Sequence, residues 1–449
     1  MATTAAVPIT KPYPPARYAW YVVGVLTFIY VFSFIDRQIM NLLVVPIRRD
    51  LKISDTQMSL LMGFTFAVFY TFFGIPLGRL ADSRSRRGLI GAGLVTWSVF
   101  TAGCGIAKNF GQMLLMRVGV GVGEASLSPA AYSMISDYFP PERRATALSV
   151  YGMGIYLGSG LASLLGGLVI KFASAQEAWM VPLVGATRPW QLIFFAVGLP
   201  GLAIALLLFS IREPLRRGMA GQKHPPFAEV VRYVKQNGAT FFCHNFGVSL
   251  VSLSSYGAMA WIPTFFIRTH HWSSAQIGIR LGLVVMVFGT LGIFCGGRLA
   301  DHLRSRGRHD ASFFVMSLAP LAALPFSIAG PLLGDPAVAL ALLAISVFFR
   351  ATPFGCAPAA ITQVVPNTMR GQAASVYLFV VNLVGLGAGP TAVAMVTDYV
   401  FHDDQMVRYS LLIVCVSAEV TAALIMRAGL KPFRCSLDRI SAYNLSHGL

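Results

Sequence analysis

Charge is scarce in this chain. Only 12% of its 449 residues are Asp, Glu, Lys or Arg, about half the share found in a soluble globular protein. Acid is scarcer still, with 18 Asp and Glu against 35 Lys and Arg, a formal net charge of +17. Together with 55% hydrophobic residues and a mean hydropathy of +0.66, this excludes an ordinary soluble fold and requires contact with lipid. Cysteine is limited to positions 104, 243, 295, 356, 415 and 435, with no CxxC pair and no histidine at zinc-ligand spacing. Five of the six lie in apolar segments, so they read as small hydrophobes and imply no disulfide framework. No GxSxG, HExxH or paired-aspartate metal motif occurs, and the one His-Asp run, His402-Asp403-Asp404, falls between apolar segments. A GxxxxGK[ST] loop for nucleotide phosphates is also missing. An intramembrane hydrolase and an ATP-driven pump both lose support, and neither a cofactor nor a metal is expected.

Long apolar runs dominate instead. A window of about 20 residues finds twelve, at roughly 18–45, 56–80, 87–107, 110–136, 143–170, 190–211, 239–267, 275–299, 311–331, 335–363, 369–398 and 405–428. Each is long enough to cross about 30 Å of hydrocarbon as a helix, and helices satisfy their own backbone groups there. The expected fold is therefore an all-α polytopic membrane protein of twelve transmembrane helices. Residues 1–17 contain four prolines and the first apolar run is too long for a signal-peptide core, so a retained tail is expected. The longest internal polar segment divides the runs six and six. This gives a tail at 1–17, a first half at 18–211, a linker at 212–238, a second half at 239–428 and a tail at 429–449. An internal repeat supports the division. Gly78-Arg79-Leu80-Ala81-Asp82 returns unchanged as Gly297-Arg298-Leu299-Ala300-Asp301, 219 residues later. Arg144-x-x-Ala147-x-Ser149-Val150-Tyr151 returns as Arg370-x-x-Ala373-x-Ser375-Val376-Tyr377, 226 residues later. Two parallel six-helix repeats form a transporter plan, with the substrate path between them.

The basic excess could mark a nucleic-acid surface or a membrane topology, and its distribution decides. With a cytoplasmic N-terminus, the tails, linker and loops on that side hold 23 basic and 8 acidic residues, the other side 9 and 7, and the spans three of each. The cytoplasmic side nets +15, which satisfies the positive-inside rule with both termini cytoplasmic. Because the basic residues are dispersed among short loops, no nucleic-acid partner is expected. A monomer in the inner (cell) membrane of a bacterium is.

In Gly78-x-Leu80-Ala81-Asp82-Ser83-Arg84-Ser85-Arg86-Arg87, a small residue, an acid at a helix end and a basic cluster share one tight loop. Such a loop can latch helix ends by charge pairing in one state and release them in another; Gly78, Asp82, Arg86, Arg87, Gly297 and Asp301 are the expected latch residues. This loop resembles the signature loop of the major facilitator superfamily, with Ser85 where a glycine is usual, and the resemblance covers the whole chain.

Six ionisable residues lie inside the spans, where such groups are costly and persist mainly when paired or functional. Asp36 and Arg37 sit in the outer half of the first helix, and Arg117 and Glu124, seven residues or about two turns apart, share a face of the fourth. Depth arithmetic brings these four together around a central cavity. A carboxylate there can alternate between a protonated and an arginine-paired form, while the arginine it releases binds an anion. The Asp-Arg of the first helix, with Arg117-x(6)-Glu124-Ala125-Ser126, resembles the spinster family of lipid transporters. That resemblance implies transport of sphingolipids or lysolipids such as sphingosine-1-phosphate, with Arg37 on the anionic headgroup, Glu124 in proton coupling, and Asp36 and Arg117 as their partners. Arg350 in the tenth helix is a further substrate-binding candidate or else an interhelical tether, and Glu419 in the twelfth has no assigned role. The expected function is proton-coupled transport of an anionic amphiphile by alternating access, with a small organic anion as the alternative substrate.

Overall fold

The computed structural model describes residues 12–176, 179–181, 185–216, 227–366 and 369–446. Ten helices are long and apolar enough to cross a bilayer: α1 (Ala16–Leu42), α2 (Asp55–Ala81), α5 (Thr146–Ala173), α6 (Pro189–Ser210), α7 (Gly238–His270), α8 (Ser274–Ser305), α9 (Ala311–Leu332), α10 (Pro336–Gln363), α11 (Ala373–Phe401) and α12 (Asp404–Ile440). The remaining two are charged or interrupted. Helix α3 (Arg86–Cys104) starts on two arginines, and α4 is two pieces, Phe110–Glu124 and Leu127–Tyr138, joined by a turn at Ala125–Ser126. Among the described residues this gives the twelve helices expected, in a facilitator-type arrangement.

Two details depart from the expected boundaries. The helix of α12 runs on to Ser446, through most of the stretch read as a tail, and the linker ends in a short helix, Phe227–Gln236, whose Tyr233 hydroxyl donates to the Val364 carbonyl at 2.7 Å. Linker residues 217–226 lie outside the described residues. A small antiparallel hairpin, β1 (Trp179–Val181) with β2 (Gly185–Thr187), joins α5 to α6 and pairs Trp179 with Thr187.

The halves pack together mainly toward one end. One buried apolar cluster takes residues from both, including Ile39, Met58 and Trp190 from the first and Trp261, Phe265, Leu343 and Val407 from the second. It lies toward the face opposite the termini. Toward the terminal face, one cluster is confined to the second half, and the other belongs to the first apart from Tyr256 and Leu386. The seam between α5 and α8 is close enough to require glycine. A Cβ on Gly282 would stand 2.6 Å from both the Gly160 carbonyl and the Leu164 nitrogen, and one on Gly160 2.8 Å from the Gly282 carbonyl. Such small-residue contacts are how helices approach closely in lipid.

Ion pairs close the same end. Arg268 at the end of α7 holds both oxygens of Asp55 at the start of α2, at 2.6 and 2.8 Å. Arg48, on the short helix Val44–Leu51, reaches Asp55 at 2.9 Å and Asp404 at 2.6 Å, and the Thr56 N–H donates to Asp398 at 2.7 Å. All of these except the Arg48–Asp55 pair cross between halves, so they hold only while the halves are packed at this face. The buried packing shared by the halves is thus concentrated at the face opposite the termini.

Candidate functional site

The break in α4 follows from packing. A Cβ on Gly123 would stand 2.7 Å from the Trp97 nitrogen and 2.9 Å from the Gly93 carbonyl of α3, so only glycine lets the two backbones touch there. The helix turns at Ala125–Ser126, where the Ser126 hydroxyl donates to the Gly123 carbonyl at 2.8 Å. Glu124, at the end of the first piece, is fully buried and accepts a hydrogen bond from Nε of Arg37 on α1.

Three aromatic faces surround the Arg37 guanidinium. Its carbon lies 4.8 Å from the ring centre of Phe34, 4.5 Å from Phe66 and 4.9 Å from Tyr70, within range of a cation–π attraction. Its side chain is 10% exposed, and the exposed edge lies on a small cavity between the halves. The wall is completed by Gln38, Asn41, Met62 and Phe66 from the first half and Tyr256, Ala260, Leu386 and Pro390 from the second.

Sequence reasoning brought four charges together, and the structure arranges them differently in detail. Arg117 is fully buried, but its guanidinium donates to backbone, to the Leu61 carbonyl at 3.0 Å and the Asp36 carbonyl at 3.5 Å. Leu61 lies in a π turn, Leu60–Phe64, that loosens α2 where Arg117 binds it. Among the described residues, the Asp36 carboxylate, buried beside Arg117 and facing Thr101, has no hydrogen-bond partner for either oxygen, and Nη2 of Arg117 and Oε1 of Glu124 also lack one. One ion pair is thus made, between Arg37 and Glu124, and an acid and a base beside it are only partly engaged.

Arg350 is placed elsewhere. Its Nε bonds Glu419 Oε1 at 2.7 Å and its Nη2 bonds Ser327 at 3.0 Å, while Ser254 donates to the same carboxylate oxygen at 2.7 Å. This cluster ties α7, α9, α10 and α12 together inside the second half. Arg350 does not line the cavity with Arg37, so its geometry is that of the tether rather than of a substrate contact.

The loop after α2 does hold helix ends, through partners that sequence reasoning missed. Arg86 is fully buried and bonds Asp137 at the end of α4 at 2.5 Å, Ser133 at 2.9 Å, Glu213 at 2.8 Å and the Pro214 carbonyl at 2.9 Å. The Arg87 N–H donates to Glu213 at 3.0 Å and its side chain to the Ile211 carbonyl at 3.0 Å. Burial pushes the Glu213 carboxyl up, but the Arg87 N–H and the Arg86 and Ser85 side chains outweigh it and hold it below the ordinary glutamate value. The side chain of Asp82 lies outside the described residues. Neither repeated glycine is tightly packed: a Cβ on Gly78 would stand 3.9 Å from Pro129, and one on Gly297 4.0 Å from the Gly355 carbonyl. Asp301 is exposed; in the second half Asp310 takes the bonding role, with Arg308 at 2.9 Å and Arg434 at 2.7 Å.

All six cysteines are free, four of them buried. Three acids, Asp55, Asp398 and Asp404, gather at the closed face, where Arg48, Arg268 and the Thr56 N–H already meet them.

The Major Facilitator Superfamily profile matches residues 26–390. The chain is 30% identical over 421 residues to an MFS-type efflux pump of Mycolicibacterium smegmatis, covering 91% of this chain and 92% of that one. It is 26% identical over 394 residues to Protein spinster homolog 3 of Danio rerio, covering 81% and 76%. Its structure superposes with a TM-score of 0.78 and 27% identity on a bacterial homologue of the human lysosomal transporter Spinster, solved inward-facing and unoccupied, over 95% of this chain and 98% of that one. The twelve-helix fold accords with these matches: the chain is a multi-pass membrane transporter, not an enzyme, and belongs to the spinster branch of the major facilitator superfamily.

Proposed function

We propose that this protein carries an anionic amphiphile, a lysolipid or sphingolipid such as sphingosine-1-phosphate, across the membrane by alternating access coupled to protons. The observation that carries the reading is the Arg37–Glu124 pair at the cavity wall. An anion and the Glu124 carboxylate compete for one guanidinium. A proton on Glu124 frees Arg37, which then holds the anionic headgroup; loss of that proton restores the pair and expels the anion. The three aromatic faces keep the guanidinium at the cavity edge while its counter-charge changes. Asp36 is the second place for a proton, and Arg117, which ties α4 to α1 and α2, transmits the change to the helices that border the cavity. Both termini are cytoplasmic on this reading, because that face carries the +15 excess, and the conformation described here is inward-facing.

A small organic anion is the second reading, favoured by the cavity itself. The space enclosed beside Arg37 is small, which fits a small acid better than a whole lipid. Proteoliposomes loaded at different pH values, given labelled sphingosine-1-phosphate, lysophosphatidate or D-glucuronate, separate the two. Transport of one of the lipids, lost in Arg37→Ala and made insensitive to pH in Glu124→Gln, is the expected result. Glucuronate transport without lipid transport selects the second reading, and unaltered pH dependence in Glu124→Gln removes the proton role of Glu124.

A further inference from the structure

The cavity wall contains two polar side chains that the exchange at Arg37 does not use. Gln38 and Asn41 of α1 are 6% and 9% exposed. They stand three residues apart on one face of the helix, and Asn41 is also four residues from Arg37. Asn41 Nδ2 donates to Gln38 Oε1 at 2.5 Å. This bond consumes one N–H and one carbonyl. Whichever way each amide is turned, one amide nitrogen and one amide oxygen remain for something else. Among the described residues no second protein partner takes them, and both residues line the cavity.

Most of the surrounding wall is apolar: Met62, Phe66, Ala260, Leu386 and Pro390. An apolar ligand segment seated there would strand both free amide groups, leaving their lost hydration uncompensated. A group that both donates and accepts satisfies them together. The smallest such group in organic ligands is a hydroxyl, followed by a primary or secondary amine. The pair also has a fixed distance from the anion site. One helical turn separates Asn41 from Arg37, an axial rise of about 5–6 Å, which matches a hydroxyl or amine a few bonds from a phosphate or carboxylate. Tyr256 of α7 lines the same cavity, so a ligand held here touches both halves.

We propose that Gln38 and Asn41 form a subsite that reads a hydroxyl or amino group a few bonds away from the anion held by Arg37. This deepens the function proposed above and rests on Arg37 being the anion site. The subsite restricts the substrate class to anions with a neighbouring hydrogen-bonding group and discriminates against otherwise similar anions without one.

The test uses two probes, 1-oleoyl-lysophosphatidic acid, whose glycerol hydroxyl neighbours the phosphate arm, and 3-oleoyloxypropyl phosphate, which lacks that hydroxyl. Their affinities are measured by titration calorimetry on the purified full-length protein in detergent. The wild type is expected to prefer the hydroxyl probe by about tenfold or more, because a site built to bond a hydroxyl rejects the analogue without it. Gln38→Met combined with Asn41→Leu should bind the two probes within about twofold of each other, with the affinity for the deoxy probe unchanged. If the double variant does not fold, Asn41→Leu alone should reduce the preference several-fold. A preference that survives these substitutions overturns the subsite, as does a wild type that binds both probes equally. Binding of neither probe overturns the amphiphile reading together with the subsite. If Arg37→Ala binds both probes as the wild type does, the anion site falls and the subsite with it.

Discussion

If the ion pairs that join the halves at the closed face set the conformational equilibrium, Arg268→Ala shifts it. Arg268 is 8% exposed and Asp55 fully buried, and the two are joined by bonds of 2.6 and 2.8 Å from opposite halves. Removing one partner of such a buried pair typically costs about 3–5 kcal/mol. Here Asp55 keeps Arg48 at 2.9 Å, and the second partner of Arg268, Asp404, is half exposed at 3.6 Å. A loss of about 2 kcal/mol is the consistent figure. Because the bond exists only while the halves are packed at this face, the loss acts on the balance between states, by about 30-fold. Spin labels on Lys108 and Gly334, exposed in the loops after α3 and α9 and 226 residues apart, read that balance as a distance, in a background with all six cysteines replaced by alanine. The wild type should give mainly the shorter separation and Arg268→Ala a prominent longer one, while Arg268→Lys should fall between. Asp55→Asn added to Arg268→Ala should shift the balance less than it does alone, since the two share one interaction. An unchanged distance distribution in a folded Arg268→Ala would show that the lock does not govern the equilibrium.

Other regions give independent predictions. Gly282→Val should open the same face, because its Cβ would stand 2.6 Å from the Gly160 carbonyl and the Leu164 nitrogen; Gly24→Ala, with nothing within 4 Å, is the control, and the Lys108–Gly334 distance reports both. Glu419→Ala should lower thermal stability in detergent by about 3–5 kcal/mol by stranding Arg350, and a Glu419→Leu, Arg350→Leu double variant should recover most of that loss. The clamp at Glu213 has a defined pH sign: a carboxylate held below its ordinary value stabilises fully above about pH 4.3, and the contribution fades as the pH falls through the depressed value. Protection factors at residues 211–216, taken relative to the intrinsic exchange rate at each pH, should therefore fall on acidification in the wild type and lack that step in Glu213→Gln.

Much of the fold was legible because lipid leaves few choices. A run of about 20 apolar residues must be a helix, and most helix ends lie within a few residues of the expected limits. The charged triplet Asp36, Arg37 and Glu124 was equally visible, since charge inside an apolar run is conspicuous. The detail that failed was pairing. Depth arithmetic gives the level of a side chain along the membrane normal but not its direction, and Arg117 turned out to be spent on carbonyls that no sequence count registers. The lock failed for a different reason. Arg48, Asp55, Arg268 and Asp404 are loop charges like any others, and their partners lie 213 and 356 residues away, so only packing of the two halves makes them a set. Gln38 and Asn41 were passed over because neutral amides do not stand out in a hydropathy profile.

The repeat sharpens what each half contributes. Arg350 stands 226 residues after Glu124, the offset that also relates Arg144 to Arg370. The related positions of α4 and α10 thus carry opposite charges, each buried against an opposite partner. Their surroundings differ. The partner of Glu124 reaches the cavity, whereas Arg350 is closed in by Glu419 and serines. The clamp diverges at the same offset: Arg86 and Asp137 correspond to Ser312 and Gln363, which keep the contact at 3.4 Å without the charge. A repeat whose charges are accessible in one copy and sealed in the other separates two tasks. On the proposed function, exchange of ions and protons belongs to the first half, where α1, α2 and α4 meet at the cavity, and the second half provides a wall, braced by its own buried pair, against which the first half rocks.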